Sequence, residues 1–94
     1  MPIAIFTRLI AKPGQRDELL TVLGELAIAT RAEPGNEQFV VHAARDEPDV
    51  VLGYELFVDD DAIDAHRATD AVRVARERLA DLLTEPPEII YGLA

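Results

Sequence analysis

The chain has 94 residues, a net charge of −9 and no cysteine, which together predict one small domain spanning residues 1–94 and exclude disulfides, thiol nucleophiles and cysteine metal ligands. Its single lysine and eight arginines are scattered, which argues against a nucleic-acid partner because phosphate contacts need clustered cations. No apolar run approaches about 20 residues and no basic-then-apolar leader is present, so we expect no membrane association and a cytoplasmic location.

The first predicted element is a strand from Ile3 to Ala11 whose two faces are both largely apolar. One face carries Ile3, Ile5, Thr7 and Leu9, and the other carries Ala4, Phe6, Arg8 and Ile10. A sheet face that meets water usually shows polar residues. We therefore expect helices to cover one face of the sheet and a second copy of the chain to cover the other.

A helix is predicted to follow the break at Pro13-Gly14 and to extend to about Arg31, because its apolar residues recur at helical spacing. Glu33-Pro34-Gly35 ends this helix. Two further strands, Asn36 to Ala44 and Val50 to Val58, follow with a polar turn between them.

The region from Asp60 to about Leu83 reads as helical, and it divides into two helices if Thr69-Asp70 forms a second N-cap. Pro86-Pro87 ends it, and Glu88 to Leu93 is a closing strand. The order is β-α-β-β-α-β. This order predicts the ferredoxin-like α+β fold, with a four-stranded antiparallel sheet and helices on one face.

Two titratable residues at the corner after the third strand are the best candidates for chemistry. Glu55 alternates with Gly53 and Phe57 in an apolar strand, where a carboxylate is disfavoured unless it is paired or its pKa is raised. His66 falls on the apolar side of the following helix. The pair could act as a general acid and base, or it could form a structural hydrogen bond that fixes the corner.

Other motifs are read as structural. The run Asp59-Asp60-Asp61 with Asp64 fails the calcium-loop pattern, because Ile63 stands where an oxygen ligand is needed. A helix N-cap with an acidic first turn explains the run, and no metal site is predicted. The chain also lacks serine, a phosphate-binding glycine loop, a dinucleotide fingerprint and a zinc-binding helix motif. We therefore expect neither a covalent acyl-enzyme nor a cofactor.

Four segments, in order, are similar to the antibiotic biosynthesis monooxygenase domain family. They are Arg8-Leu9 leading to Lys12-Pro13-Gly14, Thr30 through Asn36, Tyr54 through Phe57, and Ala62 through Thr69. The resemblance runs nearly end to end. It implies a dimeric ferredoxin-like domain in which the sheets of two subunits pack into an α/β barrel, in agreement with the doubly apolar first strand.

The resemblance also implies a function, namely a cofactor-independent monooxygenase that acts on an aromatic quinol- or anthrone-like small molecule and O2. By this resemblance Glu55 or His66 would accept a proton from the substrate, which would then react directly with O2. The residues expected to bind the substrate are Thr7, Asn36, Phe39 and Phe57. A small-molecule isomerase on the same scaffold and a non-catalytic ligand-binding or stress-related dimer remain open alternatives.

The sequence departs from the family pattern at two positions. The third strand ends in Phe57 where the family often has tryptophan, so an indole N–H donor is missing. The haem-degrading branch has an axial histidine in its last helix, and the corresponding residue here is Arg76, which cannot ligate haem iron. Haem degradation is therefore not expected.

Overall fold

Four antiparallel strands form one sheet in the order β2-β3-β1-β4, and three helices lie on one of its faces. The computed structural model describes residues 1–94. Its elements are β1 (Ile3–Ile10), α1 (Arg16–Arg31), β2 (Asn36–Ala43), β3 (Val50–Phe57), α2 (Asp60–Arg67), α3 (Asp70–Leu82) and β4 (Glu88–Leu93). The predicted ferredoxin-like α+β fold is confirmed. The first three strands end one residue earlier than predicted, and β4 has the predicted bounds.

The break between α2 and α3 comes from two local caps. The Asp59 carboxylate accepts a hydrogen bond from the Ala62 backbone N–H at 2.8 Å, which starts α2. The Thr69 hydroxyl accepts one from the Val72 N–H at 3.3 Å and starts α3, as the sequence predicts. Because each cap satisfies donors that the helix itself leaves free, the chain can end one helix and begin another within two residues. None of the three helices is both long enough and apolar enough to cross a membrane.

The core lies between α1 and the sheet. Leu19 and Leu23 of α1 are buried against Leu9 of β1 and Val51 of β3. A second cluster joins Ile5, Phe57 and Ile63 and docks α2 onto the end of β3. The third helix packs mainly against α1 and approaches the sheet more loosely than α1 does. A space therefore remains between α3 and the strands.

The opposite face of the sheet carries no helix and exposes a row of large apolar side chains. The strand register places one such residue from each strand side by side across the sheet, in the order Val40, Tyr54, Phe6 and Ile90. Phe6 is 49% exposed and Ile90 is 58% exposed. The rings of Phe6 and Tyr54 pack in a tilted arrangement, with a centroid distance of 5.2 Å and an interplanar angle of 53°. We refer to these four residues as the outer row.

Candidate active site

The space between the helices and the sheet is a cavity of about 170 Å³ that opens beside β4. Two cross-strand rows of the sheet form its floor, because the register aligns residues whose side chains point to the helix side. One row is Phe39, Glu55, Ile5 and Tyr91, and the next is Val41, Gly53, Thr7 and Ile89. Residues of α1 and α3 form the roof. The floor is thus apolar apart from Glu55 and the hydroxyl groups of Thr7 and Tyr91.

Gly53 makes room on this floor for the hydroxyl of Thr7. A Cβ atom at position 53 would collide with Thr7 Oγ1, because the two residues are direct partners in the β1–β3 register. The absence of a side chain therefore lets the Thr7 hydroxyl reach into the cavity over β3. Any larger residue at position 53 would displace this hydroxyl and fill part of the floor.

His66 lies in the last turn of α2 and is held from two sides. It is only 7% exposed, and its ring packs on Phe57 at a centroid distance of 5.0 Å. Its Nδ1 atom lies 3.0 and 3.1 Å from the two carboxylate oxygens of Glu33, in the turn after α1. A carboxylate only accepts hydrogen bonds, so Nδ1 carries the proton that it donates to Glu33.

Glu55 faces the other nitrogen of the same ring. Its Oε1 atom lies 3.6 Å from His66 Nε2, and its side chain is only 15% exposed. Burial raises the pKa of the Glu55 carboxyl to about 7, against a smaller lowering by the positive charge of Arg67 and a further rise from Glu33. Both charged and neutral forms of Glu55 are therefore populated near neutral pH.

Glu33, His66 and Glu55 together form a line of two carboxyl groups with one imidazole between them. With Nδ1 donating to Glu33, the second ring nitrogen, Nε2, faces Glu55 on the cavity side. A carboxyl group with a pKa of about 7 beside an imidazole ring can take up a proton at neutral pH and return it. The arrangement is thus suited to general acid and base chemistry on a molecule bound in the cavity.

The structure brings together four of the residues that the sequence singles out, since Thr7, Phe39, Glu55 and His66 all line the cavity. The other two lie outside its wall. The Asn36 amide instead donates to the backbone carbonyl groups of Gln38 and Leu56, at 2.9 and 3.4 Å. Phe57 is fully buried and supports the His66 ring.

Sequence reasoning misses three residues at this site. Glu33 is read only as part of a helix stop, and its carboxylate replaces Glu55 as the hydrogen-bond partner of His66. Arg67 and Arg76 also line the cavity, although the sequence singles out Arg76 only as the residue that replaces the histidine of the haem-degrading branch. No set of three or more His, Cys, Asp or Glu side chains is arranged so that it could hold a metal ion.

Comparisons with known proteins place this geometry in context. A family model described as antibiotic biosynthesis monooxygenase matches residues 2–78. Protein Rv0793 of Mycobacterium tuberculosis is 29% identical over 85 residues, which make up 90% of this chain and 83% of the relative. The solved structure of Rv0793 has a TM-score of 0.92 and 24% identity, and the alignment covers 100% of this chain and 95% of that one. Protein SO0527 of Shewanella oneidensis has a TM-score of 0.90 and 29% identity, with coverage of 97% and 88%.

Proposed function

The chain belongs to the antibiotic biosynthesis monooxygenase family, and on this basis we propose that it oxygenates an aromatic quinol- or anthrone-like molecule without a bound cofactor. Family membership indicates oxygenation of a small molecule with O2. The observation that carries the finer proposal is the line Glu33, His66 and Glu55, in which His66 and Glu55 line a largely apolar cavity. An acidic phenol or C–H group bound there meets a proton acceptor in a water-poor site.

The size of the cavity supports an aromatic substrate. An engineered apolar cavity of about 150 Å³ is known to hold benzene, and the space here is about 170 Å³. One aromatic ring therefore fits between the sheet and α3. A larger, fused-ring molecule would extend through the opening beside β4. Phe39 and Ile5 would contact the enclosed ring, and the Thr7 hydroxyl would hydrogen-bond to a ring oxygen.

In the proposed reaction the Glu55–His66 pair accepts one proton from the bound substrate. The resulting phenolate or carbanion transfers electrons to O2 and forms a C–O bond, which gives a peroxide. Loss of one water molecule from the peroxide leaves a carbonyl group, so one oxygen atom stays in the product and the other leaves as water. The substrate supplies all the electrons. The protein supplies orientation, desolvation and proton transfer.

We also propose that the protein is a homodimer whose two sheets pack through their outer rows. Four large apolar side chains in one cross-strand line form a contiguous patch, and such patches on a protein surface usually mark an interface. The chain is short and rich in apolar residues, so a second copy would bury surface that the helices do not cover. The cavity lies on the helix side, which leaves the outer row free for this contact.

Oxygen uptake tests the proposed reaction. The purified protein is mixed with a panel of anthrones and substituted hydroquinones, and O2 consumption is followed with an electrode against protein-free controls. We expect uptake above background for at least one compound. Replacing Glu55 by Gln or His66 by Gln should lower the rate by about 10²- to 10⁴-fold, the usual contribution of a general base. Glu37→Gln, on the exposed part of β2, is the matched control and should keep the full rate.

The alternatives give different results in the same experiment. Uptake no faster than background across the panel, or full activity in Glu55→Gln, would contradict the proposed oxygenase. Conversion of a compound under strict exclusion of O2 would instead identify an isomerase. Tight binding without conversion would identify a ligand-binding protein.

A further inference from the structure

The arginines of this chain divide into two groups by their contacts. Six of them form ion pairs with carboxylates or donate to backbone carbonyls, and these are Arg8, Arg16, Arg31, Arg45, Arg73 and Arg78. Arg67 and Arg76 have neither an ion pair nor a hydrogen bond, although the chain carries twice as many acidic as basic residues, 18 against 9. In such an acidic protein, two unpaired guanidinium groups are the exception.

Both unpaired arginines line the same cavity, and they reach it from different helices. Arg67 ends α2, and its guanidinium carbon lies 5.6 Å from the centre of the Tyr91 ring on β4. Arg76 projects from the middle of α3 and also lines a groove that continues from the cavity along residues 83–87. Both side chains are exposed, which places them where the cavity opens to solvent.

The charges around this opening leave the two guanidinium groups available to a ligand. Glu85 lines the same outer groove as Arg76 but forms no ion pair with it. Inside the cavity, Arg67 acts on Glu55 only through space, by lowering its pKa. Glu33 is engaged by His66 Nδ1. The cavity therefore has two guanidinium groups at its opening and apolar side chains inside. This arrangement suits a ligand with an aromatic ring at one end and an anionic group at the other.

We propose that Arg67 and Arg76 bind a carboxylate on the substrate, so that the ligand of this cavity is an aromatic acid with its ring inside and its carboxylate at the opening. The inference rests on the proposed function in taking the cavity as the substrate site. Planar guanidinium groups suit this task because they can donate two parallel hydrogen bonds to a carboxylate. The arginines would thus select the substrate, and the Glu55–His66 pair would act on its ring.

Equilibrium binding without turnover tests this inference. The probes are 2-naphthoate and its uncharged amide, 2-naphthamide, titrated under nitrogen by isothermal calorimetry or NMR. We expect the carboxylate to bind about tenfold more tightly than the amide, which corresponds to about 1.4 kcal/mol. This preference should shrink when salt is raised to about 0.5 M, since the two arginines are exposed and their charges are screened.

Variants assign the preference to the two arginines. Arg67→Gln and Arg76→Gln should each reduce it to about threefold, a loss of about 0.7 kcal/mol that is usual for an exposed ion pair, and the double variant should bind both probes equally. Arg73→Gln removes an exposed, paired arginine from the same helix as Arg76 and should keep the tenfold preference. Because all three side chains are exposed, the substitutions should leave folding intact.

Three results would overturn the inference: equal binding of the two probes by the unmodified protein, no binding of either, or an unchanged preference in the double variant. The outcome is independent of the oxygenase test. If O2 uptake fails while the carboxylate preference holds, the proposed reaction is wrong and the ligand class stands. If uptake occurs but the preference is absent, the reaction stands and the ligand class is wrong.

Discussion

In the proposed reaction Glu33 acts through His66, because its carboxylate lies within hydrogen-bond distance of Nδ1 and favours the proton on that nitrogen. Replacing Glu33 by Ala should remove this control, so both neutral tautomers of His66 become populated and the protein loses about 1–3 kcal/mol of stability. The ¹⁵N chemical shifts of the ring report the tautomer directly. Glu33→Gln keeps an oxygen acceptor and should retain the Nδ1–H form. An unchanged tautomer in Glu33→Ala would show that Glu33 is not a positioning residue.

Glu55 makes the stability of the fold depend on pH. Its pKa is about 7 in the folded state against the ordinary glutamate value of 4.5, so between these pH values the folded state holds a proton that the unfolded chain has released. This proton adds to the free energy of unfolding. Its contribution, on the order of 3 kcal/mol, is fully present below about pH 4.5 and is lost as the pH rises through about 7.

Glu55→Gln isolates this effect, because the amide stays neutral at every pH. The free energy of unfolding of the variant should therefore rise relative to that of the unmodified protein between about pH 4.5 and 8, by about 3 kcal/mol. Urea denaturation at several pH values measures the difference. The free energy of unfolding of the control variant Glu37→Gln should change with pH in the same way as that of the unmodified protein. If the difference in free energy of unfolding between Glu55→Gln and the unmodified protein is the same at every pH, Glu55 does not bind a proton in the folded state as described.

At the residue scale the sequence reveals the groups that break a local pattern. Glu55 stands out as a carboxylate in an apolar strand, and His66 as an imidazole on an apolar helix face. Glu33 breaks no pattern, because an acidic residue before Pro-Gly is ordinary in a helix-ending turn. Its contact with His66 spans 33 residues of sequence and depends on how α2 packs, which local spacing does not encode.

Among the elements, α2 is positioned by a close contact with the turn after α1. A Cβ atom at Gly35 would collide with Ala62 in the first turn of α2. Gly35→Ala should therefore push α2 away from the sheet, move His66 from Glu55 and lower the free energy of unfolding by about 1–3 kcal/mol. The loss of protection of α2 amides in hydrogen exchange, relative to α1, would measure this displacement.

Gly24→Ala is the matched control for this prediction. Gly24 lies within α1 with nothing close to the position of an added Cβ. The substitution should stabilise the protein by about 0.5–1 kcal/mol, because alanine restricts the unfolded chain and favours the helix. Equal effects of the two substitutions would show that the contact between Gly35 and Ala62 does not position α2.

At the element scale the sequence predicts nearly everything, including the division of the second helical region at Thr69. Capping and strand patterns are local, so one chain is enough to read them. The looser approach of α3 to the sheet is different, because it depends on how α1 and α3 pack together. The cavity is a consequence of that packing, and no pattern in the sequence indicates its size.

For the whole molecule, the outer row predicts the state of association. If two sheets meet there, the unmodified protein should have about twice the chain mass of 10.3 kDa in light scattering. Phe6→Asp should yield a folded monomer. Phe6 is half exposed in the single chain, so the introduced carboxylate would be buried only in the interface between two copies. Ile28→Asp alters an apolar residue of α1 that is 72% exposed and should leave the mass unchanged. A monomeric unmodified protein would contradict the proposed dimer.

The sequence also indicates this surface at the molecular scale, because both faces of β1 are largely apolar while the helices can cover only one. It does not indicate the arginines at the cavity opening. Arg67 and Arg76 belong to different helices, and their common location arises only when α2 and α3 fold around the same space. Their lack of partners likewise depends on where all the carboxylates lie.

The proposed reaction requires the buried carboxyl group of Glu55, on the cavity floor, to exchange a proton at neutral pH. The most direct measurement is the titration of the Glu55 side-chain carboxyl carbon by NMR in ¹³C-labelled protein, with Glu55→Gln to assign the signal. We expect a midpoint near the pKa of about 7 that burial produces. A midpoint at the ordinary glutamate value, about 4.3, would contradict it.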